Sequence, residues 1–246
     1  MCGITESESG RGDPRLRAEC IERVRDGDAV VTLVGVVHDH PASVYRVRQV
    51  VASAAPAVLA LELPPLAVPL TRRQAADERT PPTLGGEMSA AVQAATTSRV
   101  VGIDGPSVGF LRSLAGELYR ERASPATLRR TAAAVRSVTA AALRSRVGAT
   151  IGALTTLQVD LDPPTAHAAE RGDDPHRQAD DERRQVRTAQ SVLQTFGQPP
   201  ATAMQRRARE RHMVDRLAAL RADGDVVAVV GMAHLDAVAG HLREAT

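Results

Sequence analysis

The chain contains no tryptophan, two phenylalanines and two tyrosines, an aromatic share of 2%. Single-stranded nucleic acids are gripped by stacking on such rings, so that class of partner is disfavoured. The core must be assembled from alanine, valine and leucine. Lysine is absent too; every basic residue is arginine. That excludes a lysine nucleophile or Schiff base. The two cysteines, Cys2 and Cys20, lie in a polar N-terminal stretch, and they support neither a disulfide framework nor a cysteine-based metal site. The N-terminus lacks the apolar segment of a secretory signal. No run approaches the roughly 18 apolar residues of a membrane span. The expectation is a soluble, cytoplasmic protein.

What the chain has is a globular composition: 246 residues, 43% hydrophobic and 24% charged. This length suits one large domain, and two would be cramped. A formal net charge of +2 is too near neutral to imply a nucleic-acid or membrane partner.

One short pattern occurs twice. Residues 31–38 read Val-Thr-Leu-Val-Gly-Val-Val-His and residues 227–234 read Val-Ala-Val-Val-Gly-Met-Ala-His. A continuous β-branched run of this length suits a strand buried on both faces of a parallel sheet. His38 and His234 then emerge just past strand carboxyl ends, the edge where open α/β sheets bind ligands. Gly35 and Gly231 allow close backbone approach at the same place.

In chain order, 1–14 reads as a flexible polar tail and 15–246 as a single α/β domain. The opening Met-Cys-Gly-Ile matches the start of class II glutamine amidotransferases. The polar residues after it are not the apolar strand those enzymes use to bury that terminus. Residues 14–25 predict a short helix ended by Asp26-Gly27-Asp28. Strands are expected at 29–37, 58–63, 99–103 and 226–230. Helices are expected at 43–55, 86–97, 180–195, 201–222 and 235–243, with another starting at Ser124-Pro125 and running to about residue 147. Residues 64–82 read as a Pro-rich, charged loop with at most a helical turn, and 158–182 as a long surface loop. The architecture is a small, mainly parallel sheet of about four strands, with an α-helical insert over about 107–222.

The residue types that carry chemistry cluster at the strand ends. Neutral imidazole is the commonest metal ligand, although a lone strand-end histidine is usually satisfied by a backbone carbonyl. Glu62 terminates an apolar strand, where an unpaired charge is costly to bury. Two histidines and a glutamate leaving room for water form a hydrolytic arrangement. His40, Glu87 and Asp104 are secondary candidates. Pro41 interrupts the strand beyond His40, Glu87 sits at a helix N-terminus that favours an acid by itself, and Asp104 opens an Asp-Gly-Pro turn. The Arg-rich helix 201–222 reads as a solvated face, because acids dilute its charge and no aromatics interleave.

Taken together, residues 33–38, Leu61-Glu62-Leu63, Gly85-Gly86-Glu87-Met88, Gly102-Ile103-Asp104, Glu210-Arg211 and 229–234 resemble the TraB/PrgY family, kin to the Tiki and GumN proteins. The resemblance spans about 30–243. It implies an α/β fold related to the erythromycin-esterase and ChaN-like groups, with long helices inserted. The animal Tiki members are regarded as divalent-metal-dependent proteases, and plasmid-borne bacterial members shut down peptide pheromone signals. Carried onto this chain, the resemblance assigns His38, His234 and Glu62 to a divalent metal (Mn, Co or Zn), with Glu62 and Arg211 as catalytic groups. The expected activity is therefore a metal-dependent, peptidase-like hydrolase. The chain departs from the family pattern at Ala67 and His212, where Arg and Asp or Asn are frequent. Those departures motivate an alternative: an inactive relative that sequesters a peptide or small signalling ligand.

Overall fold

A computed structural model of the chain describes residues 12–105, 108–122, 124–133, 136, 166–196 and 200–245. Most of the expected tail lies outside them. Residues 14–25, expected as a helix, instead form a 3-10 turn (Ala18–Cys20) and strand β1 (Ile21–Asp26). Strand β2 (Ala29–Val36) runs antiparallel to it with Asp26 opposite Ala29, so Gly27 and Asp28 make a two-residue hairpin loop. Gly27 has φ 57°, a conformation that such turns require and glycine adopts without penalty. The Asp-Gly-Asp signal thus marks a hairpin rather than a helix end.

Three further strands complete the sheet: β3 (Val58–Leu61), β4 (Val100–Gly102) and β5 (Val226–Gly231). The order is β1-β2-β5-β3-β4, five strands instead of the expected four, and all neighbours except β1 and β2 are parallel. The C-terminal strand therefore lies between two N-terminal ones. Val31 to Val36 pair with Val226 to Gly231 on one side, and Val58 to Leu61 pair with Val226 to Val229 on the other.

Strand side chains alternate between two buried layers. On one face Leu33, Ala60, Ala228 and Val230 pack with residues of helices α6 (Pro200–Leu220) and α7 (Met232–Glu244). On the other, Val34, Val36, Leu61, Val227 and Val229 pack with α1 (Pro41–Ala54), α2 (Val68–Ala75) and α3 (Gly86–Ala94). Coverage of both faces explains the continuous apolar runs. Helix α2 corrects the expectation of a loop over 64–82. Its Pro69 falls in the first turn, where a missing N–H costs nothing, and Val68, Thr71 and Ala75 repeat at helical spacing toward the core.

The insert is part of the core. Met213, Val214, Leu217 and Leu220 of α6 cover the sheet, and helix α4 (Val108–Arg120) packs on α6 through Phe110, Leu114 and Ala208. Residues 125–133 are helical, with Ser124 Oγ accepting from Thr127 N–H at 3.2 Å; the expected continuation over 137–147 lies outside the described residues. The expected loop 158–182 is corrected in its last part. Helix α5 (Pro175–Phe196) begins at Pro175, and its inward face is polar rather than apolar, which hides it from a hydrophobic period. Gln178, Asp181 and Glu182 are buried there.

Glu182 meets the fully buried Arg46 of α1, and its Oε1 accepts from Ser43 Oγ at 2.5 Å. Arg46 also donates to the carbonyls of Gly35 (2.8 Å) and Arg15 (2.7 Å). Burial works against the Glu182 charge, but Arg46 and Ser43 hold its carboxyl below the usual range. Among the described residues, no helix is long and apolar enough to cross a membrane.

Gly102 admits no side chain, because a Cβ would meet backbone atoms of the loop after β3: Leu63 O at 2.5 Å, Pro65 N at 2.7 Å and Pro64 C at 2.8 Å. Gly102→Ala is expected to lower stability by about 2 kcal/mol through overpacking, seen as a lower urea midpoint. Gly172→Ala, where nothing lies within 4 Å, should stay within about 0.5 kcal/mol of wild type.

Candidate functional site

Because β2, β3, β4 and β5 are parallel, their carboxyl ends share one edge of the sheet. His38 follows β2, Glu62 follows β3, Asp104 follows β4, and His234 lies in the first turn of α7 after β5. The strand pairing fixes Glu62 directly. Its N–H donates to Val229 O at 2.9 Å, and its Oε2 accepts from Gly231 N–H at 2.6 Å. The two glycines of the repeated motif differ in role. Gly231 presents an N–H to Glu62, whereas a Cβ on Gly35 would meet Leu235 Cδ2 at 2.8 Å and the Met232 sulfur, so Gly35 serves helix packing.

The candidates fall into two groups. In the first, Glu62, Asp104 and His234 gather around Arg209 and Glu210 of α6. Arg209 Nη2 donates to Glu62 Oε1 at 2.7 Å and to Asp104 Oδ2 at 2.6 Å, while its Nε reaches both Asp104 oxygens at 3.1 Å. His234 Nδ1 donates to Glu210 Oε1 at 2.9 Å, and its Nε2 lies 3.5 Å from Glu62 Oε1. Arg206 Nε donates to the same Glu210 oxygen at 2.9 Å.

Burial pushes the Glu62 carboxyl above its ordinary range, against the opposing pull of His234, Arg209 and the Gly231 N–H. Glu210 goes the other way. Burial disfavours its charge, but hydrogen bonds from His234 and Arg206 hold the carboxyl low. Burial also works against the charge of Arg209, yet Asp104 and Glu62 raise its pKa overall.

The second group stands at the end of β2. His38 Nδ1 donates to Glu87 Oε1 at 3.0 Å, Asp39 N–H donates to Glu87 Oε2 at 2.9 Å, and His38 Nε2 lies 3.5 Å from Asp39 Oδ2. Among the described residues this is the one set of three His, Cys, Asp or Glu whose ligand atoms all lie within 4.8 Å of one another. His38 thus stands with Asp39 and Glu87, while Glu62 and His234 face each other in the first group. The two motif histidines share one device: a buried glutamate fixes each Nδ1, which selects the tautomer whose Nε2 carries the lone pair in the neutral ring.

Two sequence candidates have other tasks. His40 is wholly buried and caps α1, its Nδ1 accepting from Ala42 N–H at 3.1 Å while its Nε2 donates to Asp181 Oδ2 at 3.3 Å. Arg211 points to α4, where it pairs with Glu117. Arg209 occupies the place beside Glu62. It went unrecognised in the sequence among neighbouring arginines, although Glu210 carried a signal: it lies three and four residues before Met213 and Val214, on the apolar face of α6. Arg206, Arg207, Arg209 and Arg211 all bond carboxylates in the structure.

No protein-family model, curated protein or solved structure matches the chain.

The capping role of His40 makes stability depend on pH. Burial holds its imidazole below the ordinary 6.5, so the unfolded chain binds the extra proton first as pH falls. The stabilisation is complete above about pH 6.5 and is lost below it. His40→Asn, which keeps a capping acceptor, should flatten the decline in urea midpoint between about pH 6.5 and 5. His212, also depressed by burial, leaves a residual slope of the same sign. An unchanged slope in the variant would remove His40 as its source.

Proposed function

We propose that the chain is a TraB/PrgY-type hydrolase, dependent on a divalent metal and acting on peptide-like substrates at the carboxyl edge of its sheet. The observation that carries this reading is the meeting of Glu62 and His234 at the ends of neighbouring parallel strands, 3.5 Å apart, with each held by a further partner. A carboxyl displaced upward by burial is suited to proton transfer nearer neutral pH than an ordinary glutamate. His234, with Nδ1–H committed to Glu210, offers its Nε2 toward Glu62 and so to a proton in transit.

Arg209, beside Glu62 and Asp104, is placed to polarise a substrate carbonyl or to hold a substrate carboxylate through its planar fork. In this reading it takes the electrophilic role that the family resemblance gives to Arg211. A divalent ion, when bound, supplies Lewis acidity and a more acidic water. The resemblance assigns His38, Glu62 and His234 to hold it, and imidazole and carboxylate donors suit Mn, Co and Zn alike.

A second reading, a protein that sequesters a peptide or small signalling ligand without turnover, is favoured by one specific contact. Arg209 already engages both Glu62 and Asp104, which ties the carboxylates of the edge to a structural cation. A peptide library incubated with the metal-loaded protein and read by mass spectrometry separates the two. The hydrolase reading expects new cleavage products, with the rate lowered at least about 100-fold in Glu62→Gln. Ligand retention with no product in the wild type would establish the sequestering protein instead.

A further inference from the structure

The residues that the family pattern assigns to the metal are divided between two places, and only one of them has the donor set of a cation site. Glu87 decides which. Its side chain is 1% exposed, and within 4.0 Å its cationic partner among the described residues is a histidine, His38. A carboxylate buried this deeply needs compensating charge, which a divalent ion held here would supply. Asp39 brings a second carboxylate to the same ring, 3.5 Å from Nε2.

The backbone is shaped for this contact. Asp39 adopts φ 57°, the left-handed region that non-glycine residues seldom occupy, and Gly86 also has positive φ. A Cβ on Gly86 would run into the Asp39 carboxylate. Strained backbone of this kind persists where the surroundings over-determine it and concentrates at functional sites. One nitrogen and two carboxylate donors form a borderline-hard set that fits Mn, Co or Zn. Taking one ligand atom from each residue, the three lie within 4.8 Å of one another, so a small closure of the side chains would bring them to the roughly 3–4 Å separation of atoms that share one such ion. The second group lacks this character, because its carboxylates are compensated by Arg209 and Arg206.

We propose that His38, Asp39 and Glu87 form the divalent-cation site of this protein, separate from the Glu62–His234–Arg209 cluster. Asp39 is then a ligand that the family pattern does not assign. The inference rests on the reading of the sheet edge as a metal-dependent site, but it can stand or fall separately from hydrolysis. The division of labour would be a cation held at the end of β2, with proton transfer and substrate charge handled at the ends of β3, β4 and β5.

The test is Mn²⁺ titration of the chelator-treated full chain, followed by calorimetry and by the electron paramagnetic resonance of free Mn²⁺. Asp39→Asn is the chief variant, since asparagine tolerates the left-handed backbone, and Glu87→Gln is the second. Thermal melts of both confirm folding. Each is expected to weaken Mn²⁺ binding at least about 10-fold, whereas Glu62→Gln and His234→Gln stay within about 3-fold of wild type.

Undiminished binding in Asp39→Asn, or no binding of Mn²⁺, Co²⁺ or Zn²⁺ by the wild type, overturns the proposal. Loss of binding in Glu62→Gln and His234→Gln with Asp39→Asn unaffected also overturns it, but leaves the hydrolase reading standing. Binding that depends on Asp39, in a protein that cleaves no peptide, supports the cation site and ends the hydrolase reading.

Discussion

The parallel pairing of β5 with both β2 and β3 is the constraint on which the rest depends. It sets the Val229 carbonyl against the Glu62 N–H and the Gly231 N–H against the Glu62 carboxylate. A buried acid is thereby held by strand register rather than by a loop, and α7 starts at Met232, directly beyond the last paired residue. His234 inherits its position from that register through a single helical turn. Because a one-residue slip in pairing turns every side chain to the opposite face, the two core layers and the functional edge are fixed by the same hydrogen bonds.

The absence of lysine takes on meaning in the interior. Arg209 serves Glu62 and Asp104 with one guanidinium, and Arg46 serves Glu182 and two backbone carbonyls. A planar fork with five donors can bridge several acceptors, which a lysine ammonium on a flexible stem does poorly. Such forks fasten α5 and α6 to the sheet domain, beside the apolar packing of α6 on the sheet and of α4 on α6. Charges buried in this way contribute less to net stability than apolar packing would; they specify which helix lies where.

The strand-end placement of His38, Glu62, Asp104 and His234 was legible because a continuous apolar run identifies a buried parallel strand, and its carboxyl end is a defined edge. The division of these residues into two groups was not. It depends on which helix residue reaches back to each strand end, and α6 presents Arg209 there while Arg211, two residues on, faces α4. A rotation of about 200° for two residues of helix separates the two, so a motif read linearly could not choose between them. Helix α5 was misread at its start because its buried face is mainly Gln178, Asp181 and Glu182, polar residues that reach Arg15, His40 and Arg46 more than a hundred positions earlier. Strand β1 was misread because one turn signal serves both a helix end and a hairpin.

The place of β5 also bears on how the sheet closes. Residues 29–36 and 58–61 are near in sequence, yet they do not pair with each other; each pairs with residues of 226–231. Without residues 226–231, β2 and β3 would each present an open edge of mainly apolar residues. The sheet is complete only when β5 pairs with both halves, a closure over a long sequence separation of the kind that slows folding. The consequence of this topology is that neither half of the sheet is closed until residues 226–231 join it.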